Sequence, residues 1–226
     1  MSALTSLIHR LFVRPSMVFR LLIVGSTFMM VSVVEAAPKD KERWDRKYGT
    51  EEYIFGKTPI AFLKKYLHLL PKGKALDIAM GEGRNGVFLA AQGFQVTGID
   101  ISETGLSKAR TLAKEQGVSI ETQVVDLETT ELPANTYDVI ICTYYLQRNL
   151  FPQIINALKP GGMVVVETYT VDHQKYRPRF PRQFLLEPNE LLHHFKDLTV
   201  LQYQLQDDGQ TAYASILAAK PKPVRH

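Results

Sequence analysis

Apolar residues in this chain come in short runs rich in Val, Ile, Leu and Tyr, separated by stretches in which apolar positions recur three and four apart. From Pro38 onward the runs predict strands near 75–80, 95–100, 120–126, 137–143, 162–168, 198–205 and 212–219. Helices are predicted at Asn85–Gln92, closed by Gly93, at Glu103–Gln116, capped by Ser102 and closed by Gly117, and at Gln147–Leu158, where Leu150, Ile154 and Leu158 share a face. Another is marked by Phe62, Leu63, Tyr66, Leu67 and Leu70, behind the charged, aromatic-bearing segment Lys41–Tyr48. Strands alternating with helices predict an α/β fold, a doubly wound seven-stranded sheet that is mostly parallel and covered on both faces. The last two strands break the rule. Only Gln206–Thr211 lies between them, too short for a crossover, so the chain should close with an antiparallel hairpin strand.

The first strand feeds the segment Gly81-Glu-Gly-Arg-Asn-Gly86, which reads as a tight turn opening a helix. Glycines there permit the turn, close approach of a ligand to the backbone, and close packing of the helix on the sheet. A GxGxxG match alone is weak. Asp77 sharpens it, because a carboxylate inside that strand departs from the apolar residues of a dinucleotide fingerprint and suits a cationic ligand. In an open α/β sheet, ligands sit beyond the carboxyl ends of the strands. Asp100 ends the second strand 17 residues past Gly83, near the spacing at which an acid takes ribose hydroxyls, with Ile101 placed to lie against a base. Asp126 and Leu127 end the third and suit an adenine amino group and ring face, while the fourth ends Cys142-Thr143-Tyr144-Tyr145. Each acid taken singly also reads as a helix cap or a solvated side chain, and their convergence on one sheet edge is what favours a site.

Composition narrows the field. The 226 residues carry a formal charge of +4, of which three arginines against one glutamate in the first 36 residues supply +2. The remainder is weakly basic and has no Lys/Arg run, which speaks against nucleic acid. Cys142 is the sole cysteine, so an internal disulfide is excluded; it reads as a small buried hydrophobe. His193 and His194 are adjacent on a helix and point apart, so no metal site is expected.

Residues 1–37 form a leader in which Arg10, Arg14 and Arg20 precede a 14-residue uncharged run, Leu21–Val34, and Val34-Glu-Ala36 resembles a cleavage site. This is the pattern of a secretory signal, and of an uncleaved anchor if retained, which would associate the protein with the membrane. A start upstream of the one used in cells, with Met17 as another initiator, is the alternative. The domain is expected over 38–220, and the basic, proline-containing tail 221–226 is expected to be disordered.

Taken with Gly83-Arg84-Asn85, Tyr53-Ile-Phe-Gly56 with Pro59, Phe184–Leu191, and Leu158-Lys-Pro-Gly-Gly162 ahead of Met163–Thr168, the chain resembles the class I S-adenosylmethionine-dependent methyltransferases. Within them it is similar to small bacterial enzymes related to the tellurite-resistance methyltransferases, over roughly residues 42–220. The resemblance implies a Rossmann-like sheet and S-adenosyl-L-methionine as cofactor. It places Asp77 and the Gly81/Gly83 turn against the methionine portion, Asp100 at the ribose and Asp126 with Leu127 at the adenine; Ala79, Arg84, Asn85, Ile101 and Thr143 complete the cofactor-binding set. Ala79 departs from the family pattern, which has its first glycine there.

On the acceptor side, Tyr144 and Tyr169 are expected to shape a pocket floor, with Arg179 and Arg182 drawing in an anionic small molecule and His173 and Tyr176 nearby. The roof would come from Trp44–Phe55 and the Thr168–Phe184 connection. The tyrosines also read as core packing, and the arginines as exposed loop charges. Two other functions stay open: an NAD(P)-dependent oxidoreductase, which shares the glycine turn and Asp100, and a non-catalytic S-adenosylmethionine-binding protein. Localisation is divided between an envelope suggested by the leader and a cytosol suggested by cofactor supply.

Overall fold

The computed structural model describes residues 37–223. The leader over 1–36 and the end of the tail lie outside that range. Helix α1 (Ala37–Tyr48) comes first, in the segment for which the apolar pattern predicts no element. Charge pairs along its own surface hold it, Lys41 with Asp45 at 2.5 Å and Asp40 with Arg43 at 3.1 Å, together with the stacked rings of Trp44 and Tyr48. There follow α2 (Ala61–Tyr66), β1 (Lys74–Ile78), α3 (Arg84–Ala91), β2 (Gln95–Asp100), α4 (Glu103–Glu115), β3 (Glu121–Val124) and β4 (Tyr137–Thr143). The chain continues with α5 (Phe151–Ala157), β5 (Leu158–Tyr169), α6 (Glu190–His194), β6 (Thr199–Asp207) and β7 (Ala212–Ala219).

The seven strands form one sheet in the order β3-β2-β1-β4-β5-β7-β6. The first five run parallel, β7 pairs antiparallel to β5, and β6 pairs antiparallel to β7, so the α/β, doubly wound arrangement holds. Strand alternation sends Leu76, Ile78, Ile140, Cys142, Val164 and Val166 to one face, where Phe151, Ile154, Leu191 and Phe195 cover them. Ala75, Val96, Val139, Ile141 and Val165 go to the other, under Phe62, Leu63, Leu89, Leu106 and Ala109. Both faces being apolar is what a central parallel strand requires.

Differences from the expected elements are local. β5 begins at Leu158 because that residue already pairs with Tyr137; Lys159–Gly162 form an irregularity before pairing resumes between Val139 and Met163. β3 is only 4 residues long, as suits a sheet edge. No described helix is long and apolar enough to cross a membrane.

Candidate active site

The β1 carboxyl end sets the site. Asp77 is buried, and its Oδ2 accepts the N–H of Gly86 at 2.8 Å in the first turn of α3. A side chain on Gly86 would meet Met80 Cε at 2.4 Å and Asp77 Oδ2 at 2.8 Å, so that glycine is what lets the helix close on the acid. Burial pushes the Asp77 carboxyl up to about 7, against the pull of the Gly86 N–H, and neighbouring Asp100 adds to the rise. Ala79 stands in the left-handed region at φ 53, the conformation a glycine would take there without strain.

Asp100 does not stand open at its strand end. Oδ2 accepts the Gly81 N–H at 2.8 Å and Oδ1 accepts the Ser102 N–H at 2.9 Å, so the acid shapes the glycine turn while bordering it. Burial raises its pKa despite those donors. Asp126 Oδ1 accepts from Glu128 N at 2.9 Å, Leu127 is buried with its carbonyl taken by Gln147 Nε2, and Ile101 is half-buried. Asn85 bridges two segments, accepting from Ile60 N at 3.0 Å and donating to Thr143 Oγ1 at 2.9 Å.

Residues 44–60 close over this edge, and most of their anchors were not legible as site residues. Tyr48 lies across the turn: a side chain on Gly81 would meet its hydroxyl at 2.6 Å. Asp45 accepts from Ser102 Oγ at 2.6 Å and Thr104 N at 3.1 Å. Glu82 is buried, pairs with Lys108 at 2.6 Å and accepts the Phe55 N–H at 3.3 Å. Lys108 Nζ also donates to the carbonyls of Tyr48, Thr50 and Glu52. Arg84 Nη1 donates to the Phe55 carbonyl at 3.0 Å, and its guanidinium carbon sits 5.4 Å from the centre of the Tyr144 ring. Trp44–Phe55 thus covers the glycine turn. Two surface concavities, one at Arg148, Glu187 and His193 and one at Thr170, Asp207 and Tyr213, are lined by other residues than the turn's.

Beyond β4 and β5 the rings form a row. Tyr144 packs on Tyr169 with centroids 4.9 Å apart, and Tyr169 stacks on His173 at 4.1 Å, with Phe180 edge-on to both. His173 is buried, its Nδ1 has no partner, and burial followed by the charge of Arg177 holds its pKa below the ordinary range. Tyr144 has φ 56 and donates its hydroxyl to Glu167 Oε1 at 2.9 Å; Glu167 is itself buried.

The arginines expected on the acceptor side lie at the surface. Arg182 is exposed and chelated by Glu187 through Nε at 3.1 Å and Nη2 at 2.8 Å and 2.9 Å, which spends its fork on a neighbour. Arg179 is exposed. The charges of Arg84 and Arg177 act on Tyr169 against the effect of its burial, and Tyr176 turns its hydroxyl to Asp207 on the closing hairpin. No described group of His, Cys, Asp and Glu could hold a metal ion.

Residues 75–162 match the family model described as a methyltransferase domain. A ubiquinone biosynthesis O-methyltransferase of Rickettsia akari is 32% identical over 133 residues, 55% of this chain and 50% of that protein. A probable S-adenosyl-L-methionine-dependent methyltransferase TehB of Haemophilus influenzae is 28% identical over 138 residues, 58% of this chain and 47% of that protein. The chain spans about half the length of these curated relatives. The crystal structure of TehB from Haemophilus influenzae superposes with a TM-score of 0.61 at 21% identity, over 80% of this chain and 66% of that one, a likeness of fold. The glycine turn, the strand-end acids, the inserted antiparallel β7 and the methyltransferase-domain match over residues 75–162 together make the chain similar to class I S-adenosylmethionine-dependent methyltransferases, TehB-type proteins among them.

Proposed function

We propose that this protein transfers the methyl group of S-adenosylmethionine to a small-molecule nucleophile by in-line displacement. The observation that carries the reading is the convergence of Asp77, the Gly81–Gly83 turn and Asp100 on one sheet edge, beside an Arg84 guanidinium that no described carboxylate pairs with. These residues fit the cofactor. Arg84 would hold its amino-acid carboxylate, Asp77 would face its cationic methionine end, and the Gly81 and Gly83 backbone would lie alongside. Bound there, S-adenosylmethionine supplies a sulfonium-activated methyl carbon, for which positioning of the acceptor is the main requirement.

A nicotinamide-dependent oxidoreductase is the weaker reading. The dinucleotide sheet closes with order 3-2-1-4-5-6, whereas here β7 is inserted antiparallel between β5 and β6. Calorimetry on the full chain with S-adenosylmethionine, S-adenosylhomocysteine and NAD(P) tests this: heat from the first two and none from the third is expected, and tight NAD(P) binding alone would overturn it. S-adenosylmethionine binding with no labelled product from any acceptor would favour a non-catalytic binder. For the leader we propose export or anchoring, on its charge pattern alone. Fractionating a tagged full-length protein and sequencing its mature N-terminus separates that from a cytosolic protein.

A further inference from the structure

Glu167 is an acid inside the apolar run Met163–Thr168, near the carboxyl end of β5, and the sheet register makes it converge with two hydroxyls. Tyr144, one residue past β4, donates to its Oε1 at 2.9 Å. Ser215, opposite it on β7, donates to its Oε2 at 2.7 Å. Because the Tyr144 proton is committed to Glu167, the phenol oxygen presents lone pairs to whatever lies above it. The Tyr144 N–H also bonds the Glu167 carbonyl at 2.7 Å, and its backbone is held at φ 56, a costly conformation for an aromatic residue.

We propose that Tyr144 and Glu167 form a proton relay for the methyl acceptor, and that the acceptor arrives protonated, as a phenol or a thiol. This rests on the methyltransferase reading above. In the step, the acceptor's oxygen or sulfur forms its bond to the methyl carbon while the sulfur–carbon bond breaks, its electron pair staying on the departing sulfur. The acceptor's proton passes to Tyr144 Oη as the tyrosine's own proton passes to Glu167, which ends neutral. An acceptor already ionised would need none of this, so a buried carboxylate behind the tyrosine argues for a protonated one.

The charged and titratable groups around Glu167 are Tyr144 just past β4, Arg84 from α3, Tyr169 from β5 itself and Tyr213 from β7. Burial raises the Glu167 pKa, while the Ser215 and Tyr144 donors and then the Arg84 charge oppose the rise. Removing a donor therefore raises it further.

The test uses the full chain and two independent readouts. In the first, the carboxyl stretching band of Glu167, assigned by its loss in E167Q, is titrated by infrared spectroscopy; S215A and Y144F should each move its midpoint to higher pH. In the second, labelled-methyl transfer is measured from pH 5.5 to 9 with catechol, 2-mercaptoethanol, selenite and tellurite as acceptors. Label on catechol or 2-mercaptoethanol is expected, with an acid limb that S215A displaces upward and E167Q abolishes while lowering turnover at least tenfold. S-adenosylhomocysteine affinity of each variant should stay within about threefold of the parent. Label on selenite or tellurite alone, a limb indifferent to both variants, unmoved infrared midpoints, or silence of the whole panel in a chain that binds S-adenosylhomocysteine would overturn the relay. Failure of the parent chain to bind S-adenosylhomocysteine would instead overturn the methyltransferase reading on which it stands.

Discussion

Asp45 accepts the Ser102 hydroxyl at 2.6 Å, and Ser102 gives its own backbone N–H to Asp100 at 2.9 Å. Through that one serine, the first helix is tied to the acid that shapes the glycine turn. Burial works against charge on Asp45, but Lys41, Ser102 and Thr104 outweigh it and hold the carboxyl well below its ordinary range. Its contribution is therefore complete above the usual carboxylate pKa of about 4 and fades as pH falls toward the depressed folded value. Asp45→Ala should cost about 0.5–1 kcal/mol and lower Tm by about 1–4 °C at pH 7. Thermal melts at pH 7 and pH 2.5 check this, the difference between parent and variant shrinking in acid.

The Asp77 carboxyl is shifted the opposite way, upward. With its carboxyl at about 7, the unliganded protein binds a proton that a cationic ligand would displace. S-adenosylmethionine affinity should rise by at most about tenfold per pH unit below 7 and level off above it. Calorimetry at pH 5.5, 7 and 8.5 in buffers of different ionisation enthalpy should detect proton release near neutrality. Asp77→Asn should abolish both the slope and the release.

Ala79 is one position where a residue works against its backbone, at φ 53. The left-handed penalty for an L-residue exceeds the extra chain entropy of glycine by a small margin. Ala79→Gly is expected to stabilise the fold by about 0.5–1 kcal/mol, read as a higher urea midpoint with unchanged slope.

The buried pair of Glu82 and Lys108 should show strong coupling. Their side chains are 2% and 16% exposed, and removing either leaves the other's charge without its partner. Lys108→Met and Glu82→Gln are each expected to cost about 3 kcal/mol, and the double variant less than the sum. Urea unfolding of the four proteins completes the cycle.

The sheet was legible because each strand carries its own apolar signature, and the ends of those strands marked Asp77, Asp100 and Asp126 without any knowledge of pairing. Asp45, Ser102 and Lys108 were not legible as a latch, since their contacts span 56 to 60 residues and exist only once α1 is laid on α4. Helix α1 itself has charge pairs in place of an apolar stripe, so its periodicity was silent. Glu167 is different. The signal was present, an acid within an apolar strand, the same reasoning that singled out Asp77; what sequence could not supply was the register that sets Ser215 and Tyr144 against it. At Arg182 the missing information was local: Glu187, five residues on, pairs with it at the surface.

Lys108 fastens the segment that follows α1 through main-chain oxygens, those of Tyr48, Thr50 and Glu52, and not through side chains. Every residue offers the same carbonyl, so this clasp is indifferent to the letters written at Thr50, Glu51 and Glu52. A saturation scan should find those three positions permissive to everything except proline and Lys108 intolerant even of arginine, whose planar fork cannot gather three carbonyls and a carboxylate around one point. Relatives built this way can exchange the loop freely while the covering stays shut, so the recognisable signature of the closure lies on α4, far along the chain from the segment it closes.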